Sequence, residues 1–165
     1  MPYTIHQHLD YSFWATTRMT DTLSQLDEET LNREIKSSFT SIAKTLLHIW
    51  DAEVIWLNRM KGMSLLDWPS KNFHGDCKMI LEGVVESSKD LKSFINMKGS
   101  DFLTEKISYK NLKGDSFEDV VEDLIYHIVN HGAYHRGQIT TLLHLLGTNR
   151  IQSTDIIVYL RSLKK

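Results

Sequence analysis

Apolar residues recur every three or four positions along four long stretches of the chain, which is the pattern of amphipathic helices. In the first stretch, for example, Ile5, Leu9, Phe13 and Leu23 share one face. A fifth, shorter apolar segment at 155–163 needs a docking partner to be helical. The predicted long helices are Thr4 to Leu26, Phe39 to Lys61, Asp76 to Met97 and Ser116 to Leu146.

Local signals mark the ends of these helices. Asp76 is the expected N-cap of the third helix, and Ser38 or Thr40 is the candidate for the second. Ser116 with Asp119 resembles a capping box for the fourth helix. Glycines follow three of the predicted C-terminal ends, at Gly62, Gly99 and Gly147.

The segment before the fourth helix has a different period. Polar and apolar residues alternate over 106–110, and a turn is expected at 113–115, so the pattern predicts a short hairpin or an extended crossover. Residues 62–76 are predicted to form a loop. The expected fold is all-α, with four long helices, a small hairpin before the last long helix and a short C-terminal helix, in one domain of residues 1–165.

The second helix has apolar residues on more than one side. His48 lies roughly opposite the centre of its dominant apolar face, on a line of smaller residues. Either His48 is exposed, or the helix is buried on both sides, with another helix or subunit covering the second face. The dominant face comprises Ile42, Ala43, Leu46, Trp50, Leu57 and Met60, and the second line Ser41, Thr45, His48, Ala52 and Ile55.

Composition narrows the function classes. Hydrophobic residues make up 41% and charged residues 24% of the 165 residues, and the net charge of −2 comes without a basic stripe, which argues against nucleic-acid binding. No run approaches the roughly 20 apolar residues of a membrane span, and no signal-peptide pattern is seen, so a cytoplasmic location is expected. Cys77 is the single cysteine, so any metal site must use histidines and carboxylates.

The candidate chemistry lies in the fourth helix, where His127, His131 and His135 are each four residues apart. One ion cannot bind all three, because the outer two would be about 12 Å apart along the helix axis. On a helical wheel His131 and His135 fall on the apolar stripe, while His127 falls at its margin. A metal site explains two buried imidazoles one turn apart, and so does a pair of core histidines bonded to carbonyl or hydroxyl groups; spacing alone leaves both open.

Glycines flank the two histidines on this stripe. Gly132 and Gly137 lie inside the predicted helix, where glycine costs up to about 1 kcal/mol relative to alanine. We therefore expect a backbone or another helix to approach closely at these positions.

Four motifs together resemble the DinB family in letters, spacing and order. They are YSFWA at 11–15, LLHIWDAEVIWLNRM at 46–60, NHGAYHRGQI at 130–139 and TDIIVYLR at 154–161. The resemblance implies a four-helix bundle of the DinB/YfiT type, often dimeric, with a divalent metal held by His48, His131 and His135. Zinc or nickel is the expected ion, with iron as a further candidate. With His48 as a ligand, the dominant apolar face of the second helix would pack elsewhere, at a subunit contact.

The resemblance also implies a reaction class. Three imidazoles with an open position describe a catalytic site, and a metal-bound thiolate in a thiol S-transferase using bacillithiol- or glutathione-type thiols is the preferred reading. The alternatives are a hydrolase using metal-bound water, a non-catalytic stress-associated metal-binding protein and a plain helical interaction module. A small-molecule substrate and a homodimer are expected.

Several residues are candidates for supporting roles around the histidines. Gln138 is expected to reach the cavity, and Arg136 to point away and pair with an acid. Four more side chains are close enough in sequence to orient a ligand or carry a proton: Asp51, Glu53, Asn130 and Tyr134.

Overall fold

The computed structural model describes residues 4–148 and 150–164. This part of the chain is mostly helical and carries one small two-stranded sheet. A 3-10 turn, Pro69–Asn72, lies in the loop after the third helix. In chain order the elements are α1 (Ile5–Leu23), α2 (Glu28–Asn32), α3 (Ile42–Met60), α4 (Cys77–Lys98), α5 (Ser100–Leu103), β1 (Lys106–Lys110), β2 (Ser116–Val120), α6 (Val121–Leu145) and α7 (Ile156–Ser162).

The four long helices pack so that each contacts two others. Helix α1 lies against α4 and α6, and α3 lies against the same two helices from the other side. Because α6 carries two of the candidate ligands and α3 carries the third, the α3–α6 contact decides whether these residues can meet.

Side-chain caps set the starts of three long helices, α1, α3 and α4. Thr4 and Gln7 form a capping box at α1, and Asp76 accepts from the Met79 amide at 2.8 Å, as predicted for α4. Helix α3 begins later than predicted, at Ile42, because Ser41 caps it by accepting from the Lys44 amide. Neither Ser38 nor Thr40 is the cap.

The predicted first helix is split. It ends at Leu23 instead of Leu26, and Asp27 then caps the separate short helix α2 by accepting from the Thr30 amide at 2.7 Å. An aspartate followed by a polar run favours the start of a new helix over continuation of the first one. Its short carboxylate side chain accepts a hydrogen bond from a backbone amide in the first turn of the new helix.

The hairpin alternative is the correct one. β1 pairs with β2 in antiparallel register, with Tyr109 opposite Phe117 and Lys110 opposite Ser116. The predicted start of the fourth helix at Ser116 is therefore wrong, and so is the capping box with Asp119. Residues 116–120 form β2, and α6 begins at Val121. Pairing with β1 satisfies backbone groups that a first helical turn would leave without partners.

Helix α3 is buried on both sides. Thr45, Ala52 and Ile55, which share a line with His48, have exposed fractions of 1%, 8% and 3%. The dominant apolar face is also covered within the chain, because Ile42, Ala43 and Leu46 belong to a core cluster with α4 residues such as Ile80 and Val84. The expectation that this face forms a subunit contact is therefore wrong.

Buried polar residues separate two apolar core clusters. One cluster uses the start of α1 and of α6 with the ends of α3 and α4, and the other uses the opposite ends of the same helices. Every long helix contributes polar side chains to the level between them. These residues are Ser12 and Thr16 of α1, Glu53 of α3, Ser87 and Ser88 of α4, and His135 and Arg136 of α6.

The last helix docks through aromatic contacts, as its composition required. Tyr159 is buried, and its ring lies 5.9 Å from Tyr11 and 5.5 Å from Trp14. The Tyr11 hydroxyl donates to the Thr154 carbonyl at 3.0 Å. Asp155 occupies the N-cap position.

No helix within residues 4–148 and 150–164 combines the length and the apolar character needed to cross a bilayer.

The surroundings of two helical glycines, Gly83 of α4 and Gly137 of α6, predict opposite effects of an alanine substitution on stability. A Cβ on Gly83 would lie 2.4 Å from the ring of Trp50, which Phe73 holds from another side, whereas a Cβ on Gly137 would meet nothing within 4 Å. We expect Gly83→Ala to lower the free energy of unfolding by about 1–3 kcal/mol. We expect Gly137→Ala, the matched control, to raise it by about 0.5–1 kcal/mol. Urea unfolding measures both, and a gain for Gly83→Ala would contradict the packing described.

Candidate metal centre

Three imidazoles from two helices meet at one point. The Nε2 atoms of His48 and His131 are 3.0 Å apart, and those of His135 and His131 are 3.1 Å apart. One nitrogen from each ring lies within 4.8 Å of the other two. The structure thus brings together the three residues that the family resemblance selected, including His48, which the helical wheel did not favour.

The nitrogen atoms suit a cation better than hydrogen bonds to one another. A ring nitrogen has either one proton or one lone pair, so the Nε2 of His131 cannot make two good hydrogen bonds to the neighbouring rings at once. A tetrahedral ion with bonds of about 2.0–2.1 Å holds its ligand nitrogens about 3.3 Å apart. The Nε2–Nε2 distances of 3.0 and 3.1 Å are close to that edge length, so the donor set fits a divalent ion.

Gln138 fixes the tautomer of His135. Its Oε1 lies 2.7 Å from Nδ1 of His135, and because an amide oxygen only accepts, Nδ1 must be the donor. The neutral ring then carries its lone pair on Nε2, the atom that faces the other two histidines. Gln138 reaches the site as predicted, and its role is to orient a ring.

Burial keeps the three rings neutral. Desolvation, reinforced by the neighbouring imidazoles, lowers the pKa of His48 and of His131 to about 4. Burial also lowers the pKa of His135, against the opposing effect of the hydrogen bond with Gln138. At neutral pH all three rings are therefore uncharged, and the uncharged imidazole is the form that binds a metal.

Aromatic side chains cover the histidine cluster. The ring of Phe39 stacks on His48 at 4.3 Å and meets His135 edge-on at 5.5 Å. Trp68 lies 5.8 Å from His48, and Tyr134 lies 5.0 Å from His135. Sequence reasoning missed Phe39 and Trp68, whose only signal was an aromatic residue in the segments flanking α3.

The other candidate residues serve different purposes. His127 is exposed, 5.9 Å from the ring of His131, and outside the group of three. Asp51 accepts from the Ser70 amide at 2.7 Å and so fastens the loop after α3. Asn130 is exposed. Tyr134 contacts His135 but is 63% exposed.

Arg136 points into the core, so the prediction that it points away is wrong. It is 2% exposed, its Nη1 lies 3.4 Å from the Thr16 hydroxyl, and its Nε and Nη2 have no hydrogen-bond partner. Gly132 allows this position, because a Cβ there would lie 3.0 Å from Nη1 of Arg136. The close neighbour at Gly132 is thus a side chain of the same helix, and no described residue comes within 4 Å of a Cβ at Gly137, so the expected approach of a backbone or another helix is wrong at both positions.

Glu53 is the acid that shares this level of the core. Ser87 donates to its Oε2 at 2.5 Å, and burial raises the pKa of Glu53 to about 7, although the hydrogen bonds from serine and the charge of Arg136 oppose the rise. Glu53 therefore belongs to the level of buried polar residues that separates the two core clusters.

Two cavities border the histidine cluster. One, of about 400 Å³, is lined by His48, His131, Trp56, Arg59 and His127, among others. The second, of about 690 Å³, lies on the other side of Trp68 and includes Phe39, His48 and Asp51. A small molecule can therefore reach the cluster from solvent.

The raised pKa of Glu53 makes stability depend on pH. The folded protein keeps a proton that the unfolded chain releases above its ordinary pKa of 4.5. The associated stabilisation is complete below pH 4.5 and is lost as the pH rises through about 7. Relative to Glu53→Gln, which cannot titrate, wild-type unfolding free energy should fall by about 2–3 kcal/mol across this range.

Urea unfolding at several pH values, with chelator present, measures this difference. Glu82→Gln is the control, because that glutamate lies on the exposed side of α4 and is 67% exposed. Parallel pH curves for wild type and Glu53→Gln would contradict the assigned pKa shift.

Comparison with known proteins identifies the family of this chain. The protein-family model that is described as "DinB family" matches residues 1–162 of this chain. The chain is 28% identical over 145 residues to Protein DinB of Bacillus subtilis, covering 84% of this chain and 83% of that protein. The crystal structure of a DinB-like protein from Bacillus cereus superposes with a TM-score of 0.69 over 93% of this chain and 99% of that one; at 21% identity the likeness concerns the fold. The chain belongs to the DinB family.

Proposed function

We propose that this protein binds one divalent metal ion through Nε2 of His48, His131 and His135. The observation that carries the proposal is the meeting of three neutral imidazole nitrogens at 3.0 and 3.1 Å. The orientation of His135 by Gln138 adds support, since metal-binding histidines commonly donate their other ring nitrogen to a neighbouring acceptor. Zinc and nickel are the ions that we expect, with iron as a further candidate.

The proposed ion serves catalysis. The group consists of three protein ligands, whereas structural zinc is usually closed by four, and His48 and His131 also line a cavity. A bound divalent ion supplies a lowered pKa for a thiol or water molecule that coordinates it.

The reaction that we favour is thiol S-transfer to a small electrophile. The 400 Å³ cavity gives the site room for two small reactants, and the aromatic cover of Phe39 and Trp68 shields the cluster from bulk water. His127 lines the same cavity, and burial followed by the charge of Arg59 lowers its pKa, so its neutral ring can accept a proton. Hydrolysis and non-catalytic metal binding are the alternatives that the experiments below separate.

The surrounding architecture belongs to the same proposal. The mutual contacts of α1, α3, α4 and α6 support a four-helix bundle of the DinB/YfiT type in one domain. A cytoplasmic location and a homodimer stay predictions from composition and from the family resemblance, respectively.

Metal content tests the ligand assignment. Untagged protein incubated with zinc and desalted should retain about one ion per chain, and His48→Ala, His131→Ala or His135→Ala should each reduce this below about a tenth, because two imidazoles hold zinc far more weakly than three. Elemental analysis measures the ratio. His144→Ala is the matched control, since His144 lies exposed on α6 outside the cluster. The site would be refuted if the wild-type protein retained no zinc, nickel or iron, or if the three histidine variants retained as much metal as the wild type.

Turnover tests the reaction. With glutathione and 1-chloro-2,4-dinitrobenzene as probes, a carbon–sulfur bond forms, chloride leaves and the thiol proton goes to buffer. We expect the rate to rise in proportion to metal occupancy, and to fall at least about a hundredfold in His131→Ala, since the lowered thiol pKa is lost. Product absorbance follows the reaction, and His144→Ala should match wild type.

Outcomes of the turnover assay distinguish the alternatives. Metal-dependent cleavage of 4-nitrophenyl acetate without thiol conjugation would replace the transferase by a hydrolase. Full metal occupancy with neither reaction would favour a metal-binding protein without catalysis.

A further inference from the structure

The smaller cavity beside the histidine cluster contains an arginine without an acidic partner. This cavity lies between α3, α6 and the turn of the β1–β2 hairpin, and its lining includes Trp56, Arg59, Trp68, Lys113, His127 and His131. The proposed function assigns no role to the end of the cavity that holds Arg59.

Arg59 is buried and held between two rings. It is 7% exposed, and its Cζ lies 4.4 Å from the centre of the Trp56 ring and 4.8 Å from that of Tyr109. Aromatic faces attract a guanidinium but offer no hydrogen-bond acceptor in the plane of its N–H groups. Its buried Nε has no hydrogen-bond partner in the part of the chain that the structure describes. A buried charge without a hydrogen-bond acceptor is costly. The planar guanidinium group of Arg59 is therefore suited to donate hydrogen bonds to an acceptor group of a ligand.

The neighbouring Tyr109 does not supply a negative charge to Arg59. The Tyr109 hydroxyl donates to Oδ2 of Asp119 at 2.7 Å, and burial, followed by that carboxylate, raises the pKa of Tyr109 to about 12. The tyrosine is therefore neutral at physiological pH. No ion pair within 4.0 Å involves Arg59 among residues 4–148 and 150–164.

The cavity favours an anion on electrostatic grounds. Its lining includes Arg59 and Lys113 and, among residues 4–148 and 150–164, no carboxylate. Arginine binds a carboxylate through two parallel N–H donors, which gives both affinity and orientation. The indole rings of Trp56 and Trp68 provide apolar walls for the rest of a ligand.

The positions of the neighbours set the size of that ligand. Trp56 lies 5.3 Å from the ring of His127, which in turn lies 5.9 Å from that of His131. Two ring contacts thus separate Arg59 from the histidine cluster, so a molecule that reaches both must carry its anionic group several bonds away from its other end.

We propose that this cavity binds a small carboxylate with an apolar body, with the carboxylate on Arg59 and the opposite end beside His48 and His131. The assignment of the opposite end as the reacting end rests on the proposed metal-dependent function. The carboxylate-binding role of Arg59 rests on the cavity itself and can be measured in protein without metal.

The test compares two probes of nearly the same shape, one with an anionic carboxylate and one with a neutral amide. Calorimetric titration with 4-phenylbutyrate and with 4-phenylbutanamide gives a ratio of dissociation constants for each protein. We expect wild type to bind the carboxylate about tenfold or more tightly than the amide, with and without zinc, because the buried guanidinium forms charge-assisted hydrogen bonds. Arg59→Met keeps an unbranched side chain but removes the charged guanidinium group, and should bring the ratio to about one.

Matched variants make the result specific. Arg18→Met removes another arginine that stacks on a tryptophan, 5.2 Å from Trp14 and outside this cavity, and should leave the ratio unchanged. Arg59→Lys keeps the charge without the planar fork and should give an intermediate ratio, which serves if Arg59→Met does not fold.

Two results would overturn the proposal, and neither is confused with failure of the metal site. They are an undiminished carboxylate preference in Arg59→Met, or the absence of a preference in metal-free wild type. Zinc content is measured separately in the same samples and should be equal in Arg59→Met and wild type. Loss of zinc binding from wild type would remove the proposed function, whereas the ratio in metal-free protein would still decide the role of Arg59.

Discussion

The burial of α3 on two opposite faces is the constraint on which the site depends. Its dominant apolar face packs within the core against α4, and its second line, containing Thr45, Ala52 and Ile55, is covered as well. Small residues on the second line let α3 approach α6, and His48 stands on that line beside the two α6 histidines. Covering one face alone would leave His48 in solvent and the α6 pair without a third imidazole.

The polar level in the core shows how the same helices combine stability with a fixed register. Arg136 and Glu53 come from the two helices that carry the histidines, and Ser87 and Thr16 complete the level from α4 and α1. Burying such groups is expensive compared with apolar packing, and the hydrogen bonds that they make, from Ser87 to Glu53 and from Arg136 to Thr16, join different helices at this level. We interpret this level as a device that fixes the height of α3 relative to α6.

Much of this arrangement could be predicted from the sequence, because the four long helices have clear periodicity and His131 and His135 lie on an apolar stripe. His48 could be reached only through the family resemblance, since a helical wheel weights apolar character and the second face of α3 is built from small residues. Ser116 was misassigned because its cap-like spacing competed with strand pairing, a non-local interaction. The side chain of Arg136 points into the core because Gly132 leaves room for it and Thr16 of α1 lies beside it. No local sequence pattern reveals either condition.

The three residues of the histidine cluster are unevenly distributed along the chain. Two come from neighbouring turns of α6, and His48 is 83 positions away from His131. An ion shared among them would act as a cross-link that closes a long loop, and restricting such a loop lowers the entropy of the unfolded chain. Occupancy would then govern the resistance of the fold to heat and to proteases as well as its chemistry, so metal supply would set the cellular lifetime of the protein.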